Sequence, residues 1–377
     1  MSRDGESEEE EWAREVAEEE ADRLRKEEPP PKLSATEFLA WRSPRAAPNN
    51  PTSMDNPLWM WLVRTRWDAY NANKRFSGPS SFERGPMWSF QRFGMSRTTM
   101  EDGRSIYIGG EHEDHYDPDF CIYNDVTIIH PTGEISLYGY PNEEFPPTDF
   151  HSATLVGNSI YVIGRLGSPE DRQAGVTPIY RLLLPSLKIE KVTYSGQCPG
   201  WLSHHSASLM PDGKTVLIEG GELWRGNDLS MRRSIDAWAF DTDGLEWRRV
   251  TDRRWQHFIL RRTDRQRNRL WEVRQELWTQ RFASHGFESY WQYSDQPDFE
   301  ALAMLYKTGG QVSPPEEGVA VGEYRAVIDG LNVQFKEHAF CVEVVVEGQL
   351  SDARLAELQQ GTLSLLERID SSPYHVE

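Results

Sequence analysis

The sequence predicts a mainly β fold with flanking helices, because one strand unit occurs three times in a constant register. Three apolar runs contain, at matching positions, Tyr107, Tyr161 and Leu217. Each run reaches a glycine three residues later, at Gly110, Gly164 and Gly220. A second strand-like stretch of each unit opens at Ile135, Ile189 and Leu245. All three series advance by 54 and then by 56 residues, and a period near 50 residues is that of a four-stranded propeller blade.

The composition is that of a globular protein with an acidic surface. Of the 377 residues, 38% are hydrophobic and 11% aromatic, which is enough for a sizeable core. The formal net charge of −19 repels phosphate backbones, so no nucleic-acid partner is expected. Three widely spaced cysteines argue against a disulfide framework. No apolar run reaches membrane-spanning length and no signal-peptide pattern is present, so a cytoplasmic protein without a membrane partner is expected.

The first two segments of the chain differ in character. Residues 1–33 form an acidic extension, with 13 acidic and 5 basic residues among the first 28. The extension has few large apolar residues, so disorder or a frayed helix is expected there. Residues 34–93 are rich in aromatic residues, and Asn56 with Pro57 marks the start of a helix that is apolar on most of its circumference. Such a helix should be buried against the repeats, or should form an aromatic groove for a ligand.

The repeats occupy residues 94–250, and three further segments follow them. Residues 251–308 have helical composition with many arginines and tryptophans. We expect arginine stems to pack over tryptophan rings there, with stacking on nucleobases as the alternative. Residues 309–320 are rich in glycine and proline and form a linker. Residues 321–377 predict three strands and a final helix capped by Ser351, which is a small α+β unit.

Residues from about 94 to 250 resemble kelch repeats, the units of kelch-type β-propellers. The third unit matches best, since Gly220–Gly221 is followed by the aromatic Trp247. At the Trp247 register the other two units have Leu137 and Lys191, which departs from the family pattern. The three units open with Arg97, His151 and His205, where the family often has a histidine that ties strands together. The resemblance implies a partner-binding face made by the loops that follow the glycines, at 111–121, 166–177 and 222–234.

The number of units is the main departure from that family. A closed propeller usually has four or more blades, and only three are visible in the sequence. The expected fold is therefore three kelch-like propeller blades in an incomplete or irregular propeller, with the small C-terminal α+β unit. We expect helices at 57–76 and 266–282 to cover the open edges, because an exposed sheet edge invites aggregation.

Two polar clusters are the candidate site residues. The loop after the first glycine pair carries His112, Glu113, Asp114, His115, Asp117 and Asp119. It has three interpretations: a solvated acidic loop, a partner-binding face, or a divalent-metal site with imidazole and oxygen ligands. The second cluster contains Asp149, His151 and His205, whose histidines share one register. They are structural ties between strands or, alternatively, part of a central-channel site.

The sequence favours binding over catalysis. It contains no phosphate-cradling loop, dinucleotide fingerprint or paired-cysteine zinc motif, so no cofactor is expected. No serine has the glycine-flanked nucleophile turn of a hydrolase. The first hypothesis is a protein-interaction or scaffold module that binds another protein through the propeller-face loops. The alternative is an enzyme whose acid–base or metal site uses His112, His115, Asp149 and His151.

One double substitution separates these hypotheses. Replacing His112 and His115 by Ala abolishes turnover or bound metal if the enzyme hypothesis holds, with folding intact. If the binding hypothesis holds, the same change only weakens a partner complex. Elemental analysis of the purified protein is the direct measurement, and a preparation without stoichiometric zinc, iron or manganese contradicts a metalloenzyme.

Overall fold

The computed structural model divides the chain into two compact units. It describes residues 20, 23–113, 117–227, 229–286, 288–289, 291–307, 316–317 and 322–377. Most of the acidic extension and most of the 309–320 linker lie outside these residues. The first unit comprises Met1–Leu223 and Ala237–Val250, and the second comprises Trp224–Asp236 and Thr251–Glu377.

Three antiparallel meander sheets form the centre of the first unit. The first repeat sheet consists of β2 (Ser96–Thr99), β3 (Ser105–Ile108), β6 (Val126–Ile129) and β7 (Ile135–Gly139). The second consists of β8 (Ser152–Val156), β9 (Ser159–Ile163), β10 (Ile179–Leu183) and β11 (Lys188–Lys191). The third consists of β13 (Ser206–Leu209), β14 (Thr215–Glu219), β17 (Trp238–Asp241) and β18 (Glu246–Arg249). Shorter strands complete the unit: β1 (Thr52–Ser53), β4 (Glu111–His112), β5 (Cys121–Ile122), β12 (Trp201–Ser203) and β15 (Glu222–Trp224).

The register predicted from the sequence is present in these sheets. Tyr107, Tyr161 and Leu217 occupy the second strand of successive sheets. Their partners on the third strand are Thr127, Arg181 and Ala239. Ile135, Ile189 and Leu245 lie within one residue of the start of each fourth strand. The chain is therefore mainly β, with three copies of one four-stranded antiparallel unit.

The first strands of the three repeat sheets lie next to one another. β8 is in contact with both β2 and β13. Buried histidines join them: His151 Nε2 lies 2.7 Å from Ser96 Oγ, and His205 Nε2 lies 2.8 Å from Ser152 Oγ. Each histidine thus bonds to a serine that lies on the first strand of the preceding sheet.

The aromatic segment before the repeats packs on one face of the first repeat sheet. Its helices are Ala35–Trp41, Pro57–Thr65, Ala69–Arg75 and Ser81–Arg84. The Asn56 side chain caps the second helix, accepting hydrogen bonds from the backbone amides of Leu58 and Trp59 at 3.1 Å each. Trp59 stacks on Trp88, with ring centroids 5.0 Å apart. This core includes Tyr107 from the first repeat sheet, so the helix is covered by the repeats.

The last residues of the acidic extension contact this helical segment. Trp67 Nε1 donates to the carbonyl of Lys26 at 3.2 Å, and Trp61 Nε1 donates to the carbonyl of Glu28 at 3.2 Å. Arg64 Nε donates to the Glu28 carboxylate at 2.9 Å. The expectation of a solvated extension therefore does not apply to residues 26–28, which the indole donors hold in place.

A six-stranded antiparallel sheet forms the centre of the second unit. The strands of the sheet are β19 (Gln256–Arg262), β20 (Glu316–Glu317), β21 (Glu323–Ile328), β22 (Leu331–Glu337), β23 (Cys341–Val346) and β24 (Tyr374–Val376). Their order in the sheet is β20-β21-β22-β23-β19-β24, and the short strand β16 (Arg232–Arg233) also belongs to this unit. Three of them match the predicted C-terminal strands, whereas β19 comes from a segment that was expected to be helical.

The helices of the second unit are Arg269–Arg281, Phe299–Met304 and Asp352–Asp370. Ser351 caps the last one, as predicted, accepting from the amide of Arg354. Leu270 and Val273 of the first pack into the core of the C-terminal sheet. The buried face of this helix therefore belongs to the core of the second unit, and the prediction that the helix covers an edge of the repeats stays a prediction. None of the helices in the described ranges is both long enough and apolar enough to cross a membrane.

The segment Trp224–Asp236 lies on the C-terminal sheet although it follows the third glycine pair. The buried Glu343 carboxylate accepts a hydrogen bond from the Arg233 backbone amide at 2.8 Å and also contacts the His257 ring. Burial alone raises the pKa of Glu343, but the hydrogen bond from His257 and the nearby His338 outweigh it and hold that pKa well below its usual range. Arg225 Nη2 donates to the Glu377 carboxylate at 2.9 Å. Part of the 222–234 loop is therefore engaged with the C-terminal sheet, and its assignment to a partner-binding face stays a prediction.

The glycine that ends each second strand is required where it faces a backbone carbonyl. A Cβ atom on Gly164 would lie 2.3 Å from the carbonyl oxygen of Leu202, and one on Gly109 would lie 2.1 Å from that of Thr148. Gly109, not Gly110, thus occupies the structural position of Gly164, which explains why the first glycine pair begins one residue early in the sequence.

Replacing Gly164 by Ala tests this close approach against a matched control. Gly157 also has a positive φ of 56°, but nothing lies within 4 Å of its Cβ position. We expect Gly157→Ala to cost about 1–2 kcal/mol of unfolding free energy, from backbone strain alone. Gly164→Ala should cost at least about 2 kcal/mol more, because the Leu202 carbonyl must move away from the Arg165 amide that it binds. Urea unfolding measures both values, and equal costs contradict the interpretation.

Candidate functional site

The antiparallel topology brings four irregular segments to one end of the first two repeat sheets, here called the loop end. Residues 109–125 and 164–178 join the second strand of a sheet to its third. Residues 140–151 and 192–205 lead from the fourth strand of one sheet to the first strand of the next. The tight turns, such as 100–104 and 157–158, lie at the opposite end. Side chains that are distant in sequence therefore meet at the loop end.

The acidic loop that the sequence singled out is partly held by local bonds. His112 is buried on β4, and its Nε2 lies 3.4 Å from a Glu113 carboxylate oxygen. Asp117 accepts from the backbone amide of Asp119 at 2.8 Å, and Asp119 accepts from the Ser81 hydroxyl at 2.5 Å. Asp114 and His115 lie outside the described residues. Asp117 is thus held by a local bond to the backbone, whereas Asp119 contacts Ser81 in the segment before the repeats. The solvated-loop and partner-binding interpretations of this loop both stay predictions.

Asp149 is a buried carboxyl group that interacts with Glu111. The Asp149 side chain is fully buried, and one of its oxygens accepts from the Gly167 amide at 2.7 Å. The half-buried Glu111 is a hydrogen-bonding neighbour of the Asp149 carboxyl. Burial raises the pKa of Asp149, although the Gly167 amide, Glu111 and Arg165 partly oppose the shift.

His151 and His205 are deeply buried and neutral at physiological pH. Burial lowers the pKa of His151 to about 3, and the nearby His205 adds to the effect. Burial likewise lowers the pKa of His205 to about 4, with a contribution from His204. A neutral imidazole that is buried and bonded to a serine is not poised for proton transfer near pH 7. The geometry agrees with the structural role that the kelch resemblance implies for these two residues.

A cleft of about 560 Å³ opens at the loop end. Its walls come from residues 142–147 and 165–178, and 191–201 closes it. Glu143, Glu170, Asp171 and Lys191 are exposed lining residues, and Tyr180 and Trp201 are buried ones. A volume of this size is typical of sites that hold a small ligand or a few side chains.

Arg165 is the buried cation in the wall of the cleft. Its Nη1 donates to the carbonyl of Pro147 at 2.6 Å, and its Nη2 contacts the Asp171 carboxylate at 3.3 Å. The guanidinium carbon lies 5.2 Å from the centre of the Trp201 ring, in cation–π geometry. Arg165 thus links one wall of the cleft to the other. Its positive charge is paired with Asp171 within the protein.

The part of the chain that the structure describes contains no preformed set of metal ligands. No three His, Cys, Asp or Glu side chains converge there in a way that could hold an ion. Cys121, Cys198 and Cys341 are free thiols, and burial raises the pKa of Cys341 to about 11 and of Cys121 to about 12. Deprotonation of these two thiols, which a nucleophile or ligand requires, is therefore disfavoured at neutral pH.

The sequence reasoning found Asp149 but missed Glu111 as its neighbour and missed the cleft. Tyr180, Tyr194 and Trp201 are aromatic residues next to the ends of strands, a position that is also common in ordinary cores. The one usable signal was Arg165, which replaces the second glycine of the repeat and so places a charge where the other units have none. Nothing in the spacing shows that residues 143 and 170 face one cleft.

The buried histidines make the stability of the first unit depend on pH. Below about pH 6.5 His151 and His205 become protonated in the unfolded chain but stay neutral in the folded protein. The unfolding free energy therefore falls as the pH drops from 6.5 to 4. We expect His205→Asn to flatten this slope by about 1.4 kcal/mol per pH unit. Urea unfolding at several pH values measures the slope, with the half-buried His130→Asn as the control. An unchanged slope in His205→Asn shows that the ring is protonated in the folded state.

Comparisons with known proteins give remote similarities of fold. No family model matches the chain, and no curated protein matches it. Among solved structures, that of YjhT matches 76% of this chain and 84% of its own, at 10% identity and a TM-score of 0.31. The β-propeller domain of the Trilobed protease from Pyrococcus furiosus, described as having an open velcro topology, matches 69% of this chain and 71% of its own, at 13% identity and a TM-score of 0.26. With scores at this level, the description of the fold depends on the sheets themselves.

Proposed function

We propose that this protein is a binding module of three consecutive kelch-like propeller blades, which holds another protein in the cleft at the loop end of the first two. The cleft of about 560 Å³ carries this proposal, because several separate chain segments build it at one end of rigid sheets. Loops placed by a rigid scaffold are where binding residues concentrate. The third loop is engaged with the C-terminal sheet, so the proposed binding surface comes from the first two repeats.

The state of the polar residues supports binding over acid–base catalysis. His151 and His205 are neutral, buried and bonded to serines. Arg165 is engaged on both sides of the cleft. Arg165 lines the cleft, and the two histidines lack the open, titrating character of catalytic groups. The three free thiols support our further proposal of a cytoplasmic, reducing location.

A blocking substitution tests the function without presupposing a partner. Peptides are first selected from a random display library for binding to the wild-type protein. Their affinities for the wild type and for the Val176→Trp and Met210→Trp variants are then measured by calorimetry. Both residues are 38% exposed, but Val176 lines the cleft and Met210 lies in a turn at the opposite end. We expect Val176→Trp to weaken binding at least about tenfold, a loss of about 1.4 kcal/mol, and Met210→Trp to leave it unchanged.

Two results contradict the proposal. One is a failure to select any peptide that binds the folded protein. The other is a set of peptides whose affinity is the same in both variants, which places their site away from the cleft. Circular dichroism and the melting temperature confirm that each variant is folded before its affinity is interpreted.

A further inference from the structure

The segments at the loop end of the first two repeat sheets carry a large net negative charge. Segments 109–125, 140–151, 164–178 and 192–205 contain 11 acidic and 2 basic residues, so their net charge is 2 − 11 = −9. The turns at the opposite end, 100–104, 130–134, 157–158 and 184–187, contain 3 acidic residues and 1 basic residue, so their net charge is −2. A concave surface of one sign attracts ligands of the opposite sign and speeds their arrival.

Two carboxylates from different segments line the cleft, and neither forms an ion pair with a described residue. Glu143 lies in the segment between the first two sheets, and Glu170 lies in the loop of the second sheet. Both are exposed. The third carboxylate, Asp171, already contacts Arg165. Arg172 is near enough to Glu170 to interact with it electrostatically, but its guanidinium donates to backbone carbonyls. The cleft therefore offers two carboxylates from separate segments that are not held in an ion pair.

The floor of the cleft adds a polar group that has no partner inside the protein. Tyr180 is only 5% exposed, and its ring packs edge-on against Phe145 at 5.2 Å. Its hydroxyl forms no hydrogen bond with any described residue, although Tyr180 lines the cleft. Buried tyrosine hydroxyls normally have a hydrogen-bond partner, so this one is available to a ligand.

We propose that the cleft binds a basic side chain, arginine or lysine, from an extended segment of the partner protein. This inference depends on the proposed function, because it names the chemistry of the partner at the same site. The cation enters between Glu143 and Glu170, and its N–H groups donate to their carboxylates. An N–H group of the cation or a backbone amide of the segment donates to the Tyr180 hydroxyl. Charge-assisted hydrogen bonds of this kind are about twice as strong as neutral ones.

Two labelled peptides provide the direct test. The probes are fluorescein-Gly-Ser-Arg-Pro-Arg-Ser-Gly and the matched fluorescein-Gly-Ser-Glu-Pro-Glu-Ser-Gly, titrated with the full chain and followed by anisotropy. We expect the arginine peptide to bind and the glutamate peptide not to bind. The double variant Glu143→Gln/Glu170→Gln should lower the affinity for the arginine peptide about tenfold. The variant Tyr180→Phe should lower that affinity about threefold.

A charge-matched control separates a built site from general attraction to an acidic protein. Glu101 and Glu134 are exposed in turns at the opposite end, so the variant Glu101→Gln/Glu134→Gln removes two charges, as the cleft variant does, without touching the cleft. We expect it to leave the affinity unchanged at 150 mM salt, where distant exposed charges are screened. Equal losses in Glu101→Gln/Glu134→Gln and in Glu143→Gln/Glu170→Gln overturn the proposal, because the attraction is then non-specific.

The display experiment distinguishes failure of this inference from failure of the proposed function. If selected peptides bind in the cleft but are not enriched in arginine or lysine, the inference is wrong and the binding function stands. If no selected peptide depends on the cleft, both fail. Preferential binding of the glutamate peptide also overturns the inference, because it assigns the opposite charge to the partner.

Discussion

The contact between neighbouring first strands is the interaction on which the rest of the first unit depends. Two buried histidine–serine pairs repeat along the chain and join the three repeat sheets in order. The rings are neutral because burial penalises the charged imidazole, so they act as neutral hydrogen-bonding partners in a dry interior. Close approach of the chain at Gly109 and Gly164 brings the connecting segments against the same region. Together these contacts hold the loop end, and hence the walls of the cleft, in one arrangement.

In the second unit, a network of buried charged groups joins the segments of the chain. Glu343 lies on a strand whose residues are all buried, and an isolated carboxylate there is costly. The Arg233 amide and the His257 ring satisfy it. Removal of one partner from such a network leaves an uncompensated charge, so the network specifies where the segment Trp224–Asp236 lies. As a consequence, this part of the third loop contributes contacts within the second unit.

The loop end combines rigidity with a net negative charge. The cation in the wall, Arg165, is paired with Asp171 and stacked on Trp201. Glu143 and Glu170 line the cleft, and neither forms an ion pair with a described residue. The cleft thus has a preorganised wall and two carboxylates that can bind a cation. A preorganised site loses little conformational entropy when a partner binds, which makes binding by a few side chains feasible.

The sequence by itself determined the local periodic features of this protein. The steps of 54 and 56 residues located the second and fourth strands of all three repeat sheets, because strand pairing in a meander depends on neighbours in sequence. The caps at Asn56 and Ser351 are also local, since a capping side chain bonds to amides two or three residues away.

Only the tertiary structure decided which distant segments meet. It paired Glu111 with Asp149, placed Glu143 and Glu170 on one cleft, and inserted β19 beside β23 in the C-terminal sheet. It also placed the buried face of the helix Arg269–Arg281 in the core of the C-terminal sheet. These contacts depend on how whole sheets and helices pack, and the spacing of residues along a single chain carries no record of such packing.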